Sequence, residues 1–335
     1  EAALGSGRHD DRVLDPLRFH QAQHFGAEIV APVGPAQAAA RDRARAQVDA
    51  FDAPGIDEHL APRHRLGQAR NQRGIDLKRQ RLAPRGSERV RPQNRADRGM
   101  VEPQQAVVVD RRDLTQARLA QAQLQPDDLD AVFITHEHSD HIGCAQALAV
   151  RYRIPVWMSE GTHAALGFPD FDGLQHVARD MQAIDLGSFQ ALPFTVPHDA
   201  REPLQLRCSD GASHLGVLTD LGHASDHVLQ QLQGCHALMI EANHDPAMLE
   251  ASRYPTFLKR RVGGPYGHLA NFATADILRA VRHPGLQRVV AAHLSAQNNA
   301  PSLAQQALGL ALEWSAEEIT VASPTVGTPW LAVAG

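Results

Sequence analysis

Residues 99–335 are predicted to form an α/β fold, or α+β in some classifications, in which two β-sheets pack together with helices outside. Two observations predict it: short apolar runs alternate with longer helical segments, and two of those runs, 203–208 and 214–220, lie close enough to form a hairpin. The predicted strands are 107–110, 131–135, 155–159, 190–197, 203–208, 214–220, 236–242, 287–292, 317–322 and 328–333, and the predicted helices are 113–122, 142–151, 161–166, 225–233, 270–282 and 301–314.

The first 98 residues have a different composition from the remainder. They carry 18 Lys and Arg against 13 Asp and Glu, a balance of +5, whereas residues 99–335 carry 15 against 25, a balance of −10. Leu, Ile, Val and Phe make up 18 of these 98 residues, too few to bury much apolar surface. We therefore expect 1–98 to be an atypical, Arg-rich and poorly ordered segment, and 99–335 to be the folded domain that carries the motifs described below.

The origin of this Arg-rich segment is open: an insertion, an upstream extension, and a start-site or reading-frame error all fit the sequence. A basic arm could bind nucleic acid. The arginines are interleaved with Asp, Gln and Pro, however, and aromatic residues are scarce, which favours a segment without that function.

Three absences bear on the expected location. No run of 18 apolar residues occurs, the amino terminus lacks a basic stretch followed by an apolar core, and three cysteines do not make a disulfide framework. We therefore expect a cytoplasmic protein without a membrane span. A homo-oligomer is left open.

One stretch concentrates the chemistry of the chain. The apolar run 131–135 predicts a buried strand, and it is followed directly by His136, His138, Asp140 and His141. In an extended chain two imidazoles two residues apart project to the same side, and ligand loops usually follow the carboxyl ends of strands in α/β sheets. The stretch predicts a metal site there.

The residue types favour two divalent ions. Neutral imidazole nitrogens bind zinc at about 2.0 Å and carboxylate oxygens at about 2.0 to 2.2 Å, so two His from one side and an Asp–His pair from the other can hold two neighbouring ions. A zinc ribbon would need paired cysteines, and only Cys144, Cys208 and Cys235 are present. We expect Zn, with Mn or Fe as alternatives.

The spacing His-x-His-x-Asp-His resembles that of the metallo-β-lactamase superfamily, and later motifs extend the resemblance. Ligand-type residues also end the runs at Val196-Pro-His198-Asp, Val217-Leu-Thr-Asp220 and Val289-Val-Ala-Ala-His293. The motifs Glu-Ala-Asn-His-Asp at 241–245, Tyr-Gly-His-Leu-Ala-Asn at 266–271 and His-Leu-Ser-Ala-Gln-Asn-Asn at 293–299 are similar to the bacterial exonuclease-like branch called YycJ, VicX or WalJ. That branch is itself similar to ribonuclease Z, which processes transfer-RNA 3′ ends.

The resemblance implies a four-layer αββα sandwich over roughly 99–335 and a role for each ligand-type residue. It implies that Asp220 bridges the two metals, where true β-lactamases typically have Cys. The implied ligands of the first metal are His136, His138 and His198, and those of the second are Asp140, His141 and His293.

The resemblance also implies a proton donor, His268, which follows a glycine-rich turn and would assist the leaving group; Asp140 is the other expected catalytic residue. Imidazole suits this task because its pKa lies near neutrality. The alternative is that His268 merely caps or packs at a helix start. Supporting roles are expected for Asp110, Glu241 and His244 near the ligands, and for Lys259, Arg260 and Arg261 as phosphate contacts, although such a charge run is more often a solvated helix face.

These parts predict a metal-dependent hydrolase that uses a metal-bridging hydroxide, most consistent with a phosphodiesterase or nuclease of exonuclease type acting on nucleic acid or another phosphodiester. The alternative is a hydrolase of a thioester, lactone or amide on the same site, because one fold hosts many chemistries. The balance of −10 in 99–335 weakens the case for a broad phosphate-binding surface.

Overall fold

The computed structural model describes residues 17–19, 111–187 and 189–334, and within them the chain forms three sheets and nine α-helices. The predicted strand 107–110, Asp110 and most of the Arg-rich segment lie outside the described residues. Within that part of the chain, no helix is long and apolar enough to cross a membrane. The location in the cytoplasm stays a prediction.

The strands are β1 Leu17–Phe19, β2 Val132–Phe133, β3 Val156–Met158, β4 Gln175–Val177, β5 Ile184–Asp185, β6 Gln190–Thr195, β7 Leu204–Ser209, β8 His214–Leu218, β9 Ala237–Glu241, β10 Arg288–Ala292, β11 Ile319–Val321 and β12 Leu331–Val333. The helices are α1 Arg111–Gln121, α2 Ser139–Ile142, α3 Ala145–Tyr152, α4 Glu160–Ala165, α5 Asp226–Leu232, α6 Pro246–Ala251, α7 Thr256–Val262, α8 Asn271–Val281 and α9 Pro301–Leu312. Short 3₁₀ turns occupy Pro126–Asp128 and Ala316–Glu318.

The largest sheet has seven strands in the order β11-β10-β9-β8-β7-β6-β5. Strands β8 to β11 are parallel, and β5 to β8 are joined antiparallel, which includes the predicted hairpin of β7 and β8. A second sheet has the parallel order β2-β3-β4, and β1 pairs antiparallel with β12. The seven-stranded and three-stranded sheets correspond to the two predicted sheets.

Alternation along the central strands explains the layering. In β9, Ala237 and Met239 face the smaller sheet and contact the cluster around Phe133, whereas Leu238 and Ile240 face helices α5, α8 and α9. A third apolar cluster joins the outer face of the smaller sheet to α1 and α3. The four layers are helix, sheet, sheet and helix, as predicted.

Several predicted elements need correction. The single helix predicted over 142–151 is two helices, because Gly143 adopts a positive φ of 45° between α2 and α3. Strands β1, β4 and β5 and helices α6 and α7 were not predicted. All three residues of strand β4, Gln175, His176 and Val177, are exposed, so the strand has no alternation of buried and exposed positions that a sequence pattern could reveal.

Candidate metal centre

The carboxyl ends of three adjacent parallel strands form one wall of the candidate site. Asp220 follows β8, Glu241 ends β9 and His293 follows β10, and parallel pairing brings these ends to the same edge. Asp220 and His293 have positive φ angles of 55° and 54°, a conformation that side chains other than glycine rarely adopt. The chain accepts this backbone strain where both side chains turn inward.

The loop after β2, in the smaller sheet, forms the opposite wall. Thr135 Oγ1 lies 3.0 Å from Nδ1 of His136 and 3.1 Å from Nδ1 of His141, so one hydroxyl fixes two rings. The turn of α2 between them places Asp140 at the rim, where its side chain is 54% exposed. The predicted His-x-His-x-Asp-His ligand loop therefore faces the ends of β8 and β10.

Three imidazoles converge at one position. His136 Nε2 lies 3.0 Å from His138 Nδ1, and His198 Nε2 lies 3.3 Å from the same atom. His198 Nδ1 lies 3.0 Å from the carbonyl oxygen of Gly267 and must donate to it, so Nε2 carries the lone pair. Burial, reinforced by neighbouring His141, lowers the pKa of His136 to about 2, and burial also lowers the pKa of His198.

A second cluster joins the first through Asp220, which is 2% exposed. His141 Nε2 lies 2.9 Å from Asp220 Oδ2, and His293 Nδ1 lies 3.3 Å from Asp220 Oδ1. Asp140 Oδ2 is 3.9 Å from Nε2 of both His141 and His293. Burial alone would raise the pKa of Asp220, but His141 and His293 outweigh it and hold the carboxylate ionised.

The donor set fits divalent metal ions. Four sets of ligand atoms lie within 4.8 Å of one another among the described residues, and Asp220 belongs to two of them. Three imidazole nitrogens, His136 Nε2, His138 Nδ1 and His198 Nε2, converge at hydrogen-bonding distance, an arrangement that a shared cation can stabilise. Only nitrogen and oxygen donors take part, as expected for Zn or Mn.

Glu241 supports this cluster from behind, with no exposed surface. Its Oε1 lies 2.8 Å from Nδ1 of both His268 and His293, and its Oε2 accepts from the backbone N–H groups of Leu221 and Leu269 at 3.1 and 3.0 Å. Burial would raise its pKa, but the two histidines lower it to about 2. An ionised carboxylate only accepts, so both Nδ1 atoms carry protons and both Nε2 atoms are left for other partners.

His268 lies beside the ligands and is 21% exposed. Its Nδ1 is 3.5 Å from Asp220 Oδ1 as well as 2.8 Å from Glu241. Burial would lower its pKa, but these two carboxylates raise it above its ordinary value. Gly267 fixes the approach of this histidine, since a side chain there would collide with the carbonyl oxygens of Arg261 and Val262.

Similarity to known proteins identifies the family of this chain. A family model described as the metallo-beta-lactamase superfamily matches residues 102–238. Over 204 residues the chain is 33% identical to Exodeoxyribonuclease YycJ of Bacillus anthracis. The aligned region covers 59% of this chain and 76% of that protein. The chain belongs to the metallo-β-lactamase superfamily. It is also 31% identical to Exodeoxyribonuclease WalJ of Streptococcus pneumoniae over 195 residues, covering 57% of this chain and 72% of that one.

Solved structures also resemble this chain, and two of them illustrate the similarity. The metallo-beta-lactamase fold protein YhfI from Bacillus subtilis gives a TM-score of 0.49 at 14% identity, over 63% of this chain and 81% of that one. The short form of human tRNase Z gives 0.46 at 15% identity, over 66% and 85%. The predicted family, fold and hydrolase class are confirmed by the family model and the curated relatives, and membership of this superfamily implies a divalent-metal site.

The remaining predicted residues of this metallo-β-lactamase-fold hydrolase lie at different depths. His244 is buried behind His268 and is linked to its segment through backbone hydrogen bonds with Leu269 and Asn271. Burial lowers the pKa of His244. Of the basic run in α7, only Arg261 lines the cavity of the metal ligands, whereas Lys259 and Arg260 line a neighbouring cavity.

Sequence reasoning assigned no role to Asp199, although it follows a predicted ligand. Its Oδ2 lies 2.5 Å from Arg261 Nε, and its Oδ1 lies 3.5 Å from His198 Nε2 and 3.8 Å from His138 Nε2. The carboxylate therefore holds Arg261 against the cluster of histidines. The sequence feature that could have indicated this role is the position of Asp199 directly after the predicted ligand His198.

Three asparagines of the superfamily-like motifs hold the loops around the site. Asn243 donates from Nδ2 to the carbonyl oxygen of His293 at 2.9 Å. Asn271 and Asn299 exchange two amide hydrogen bonds of 2.9 Å, and Asn299 also donates to Ala242. These buried contacts tie the ends of β9 and β10 to the start of α8, which keeps Glu241, His268 and His293 in register.

Proposed function

We propose that this hydrolase is a phosphodiesterase of exonuclease type that acts on nucleic acid with two divalent metal ions, most favourably Zn. The observation that carries the proposal is the joining of two ligand clusters by one buried carboxylate, Asp220, with a histidine outside both clusters held against them by Glu241. The names of the curated relatives, both exodeoxyribonucleases, support the substrate class.

The ligands divide between the two sites as the resemblance implies. The converging nitrogens of His136, His138 and His198 would hold one ion, and Asp140, His141 and His293 the other, with Asp220 shared. When bound, such ions make water nucleophilic near neutral pH and neutralise charge on phosphoryl oxygens. Thr135 and Gly267 orient the rings through their outward nitrogens, so the ligand geometry is set before metal arrives.

His268 is assigned to the leaving group. Because Nδ1 is bound to Glu241, Nε2 is the nitrogen that can face the substrate. As the bond from phosphorus to the leaving oxygen breaks, the proton on Nε2 passes to that oxygen, and the ionised Glu241 stabilises the imidazolium before the transfer. The leaving fragment departs as an alcohol and the phosphate stays with the other fragment.

Arg261 is assigned to the phosphate. The Nε of Arg261 is bound to Asp199, which leaves the other guanidinium N–H groups as possible donors to a ligand. The Arg261 side chain lines a cavity of about 390 Å³ together with Asp140, Asp220, His268 and His293. A guanidinium whose stem is fixed by a carboxylate can bind phosphoryl oxygens with little loss of rotamer freedom.

A substrate panel tests the proposal against the alternative of thioester, lactone or amide hydrolysis. Zn- and Mn-loaded protein is offered bis-p-nitrophenyl phosphate, single-stranded and duplex DNA, small RNA, a lactone and a glutathione thioester. We expect cleavage of the phosphodiesters alone. Asp220→Asn is expected to abolish it, and the matched control Asp226→Asn, at the exposed start of α5, to retain it. Preferential turnover of the lactone or thioester would overturn the assignment.

A further inference from the structure

A second cavity also contacts His268, and none of the predicted metal ligands lines it. It has a volume of about 560 Å³, within the range of sites that hold small organic ligands. Its wall is formed by α6, α7 and the start of α8, and His268 is the only residue that lines both this cavity and that of the metal ligands among the described residues. The two cavities therefore meet at one imidazole.

The wall of this second cavity combines an exposed aromatic ring with positive charge. Phe272 is 60% exposed and makes no aromatic contact within the described part of the chain. Lys259 and Arg260 line the same cavity; the ammonium group of Lys259 contacts the carbonyl oxygen of Glu250, and Arg260 is exposed without an ion pair to any described residue. Glu250, also in the wall, partly balances this charge.

An exposed phenylalanine costs solubility and contributes nothing to the core. Of the exposed aromatic side chains in the described residues, Phe257, Tyr266 and Phe272 fall between 257 and 272, and only Phe168 lies elsewhere. The exposed rings are therefore concentrated in the segment that carries the basic residues and His268. Aromatic rings interleaved with basic side chains are the features that bind single-stranded nucleic acid, through base stacking and phosphate contacts.

We propose that this cavity binds the nucleoside of the leaving fragment, with its base stacked on Phe272. The inference rests on the proposed function and deepens it. If His268 Nε2 gives its proton to the leaving oxygen, the fragment that carries that oxygen lies next to His268, and this cavity is the space beside His268 that none of the predicted metal ligands lines. Lys259 and Arg260 then lie where a continuing strand would bring its next phosphate.

The test uses thymidylyl-thymidine and two analogues, each lacking the base on one side of the single phosphodiester bond. The product that carries a free hydroxyl instead of the phosphate identifies the leaving fragment independently of any variant. We expect Phe272→Ala to lower kcat/KM for the complete dinucleotide roughly 5- to 150-fold, the usual worth of one base stack. The loss should disappear with the analogue that lacks the base of the leaving fragment and persist with the other analogue.

The matched control is Phe168→Ala, which removes an equally exposed ring outside both cavities and should leave all three rates unchanged. An equal loss on all three substrates, no loss on any, or a loss that depends on the base of the phosphate-bearing fragment would overturn the inference. Absence of cleavage by the wild-type protein would instead refute the proposed phosphodiesterase function, so the two failures are distinguishable.

Discussion

Replacing Glu241 by Gln is the sharpest test of how the site is held together. The change keeps the volume and the 0% exposure of the side chain but turns one acceptor oxygen into a donor. In the wild type, one oxygen accepts from His268 and His293 and the other from the backbone N–H groups of Leu221 and Leu269. A glutamine amide can satisfy only one of these pairs.

The two orientations have different costs. With its NH₂ towards the backbone, the amide leaves two buried N–H donors unpaired, at about 1 to 3 kcal/mol each, or about 2 to 6 kcal/mol together. With its NH₂ towards the histidines, both rings must accept at Nδ1, so the proton moves to Nε2 and His293 has no Nε2 lone pair for a metal. Metal-bound protein therefore has to adopt the first orientation, with the NH₂ group towards the backbone. Its free energy of unfolding is then lowered by the full cost of the two unpaired N–H groups.

The assay is the Tm of Glu241→Gln at saturating Zn or Mn. For a domain of roughly 150 to 250 residues, each kcal/mol lowers Tm by about 2 to 4 °C, so we expect a decrease of at least about 4 °C. Glu250→Gln, the same change at an exposed position in α6, should leave Tm unaltered. A metal-saturated Glu241→Gln protein as stable as wild type would refute the hydrogen-bonding scheme.

Three further predictions concern the metals, the proton donor and the cysteines. Elemental analysis should find close to two equivalents of Zn or Mn, with a loss in Asp220→Ala; one equivalent in metal-replete wild type would contradict the dinuclear model. His268→Ala should keep its metal and slow cleavage about 10²- to 10⁴-fold, with a smaller loss when the leaving group is p-nitrophenolate, which departs without a proton; equal losses would point to a structural role. Burial raises the pKa of Cys235 to about 11 and Cys208 is fully buried, so mass spectrometry after iodoacetamide treatment at pH 8 should find only the partly exposed Cys144 modified. Modification of Cys235 in folded protein would show that the connection between α5 and β9 opens readily.

The predicted metal ligands could be proposed from the sequence because most of them stand at or shortly after the end of a strand that has a clear pattern. The runs 131–135 and 289–292 are short and mostly apolar and contain β-branched residues, and a histidine stands directly after each. Such local signals need no knowledge of the pairing. The proposed bridging role of Asp220 came from resemblance alone, since its contact with His141 joins residues that are 79 positions apart and follow strands of different sheets.

The remaining features depend on contacts that local sequence does not encode. Strand β1 is three residues long and pairs with β12, at the opposite end of the chain. Helices α6 and α7 are short, and of their side chains only Leu249 is buried. Neither helix therefore has the long apolar stripe by which a sequence pattern would indicate it. Asp199 looked like an ordinary acidic residue, because its partner Arg261 is 62 positions away.

The peptide unit at Gly267 gives the site a mechanical property. Its carbonyl oxygen binds Nδ1 of His198, and the next residue is His268, whose N–H binds the carbonyl oxygen of Val262 at the end of α7. Any displacement of α7 is therefore transmitted through the same peptide unit to His198, a proposed metal ligand, and to His268, the proposed proton donor. If nucleic acid is the substrate, as proposed, a polynucleotide bound to the basic side chains of α7 would act at once on the proposed metal position and on the proposed proton donor.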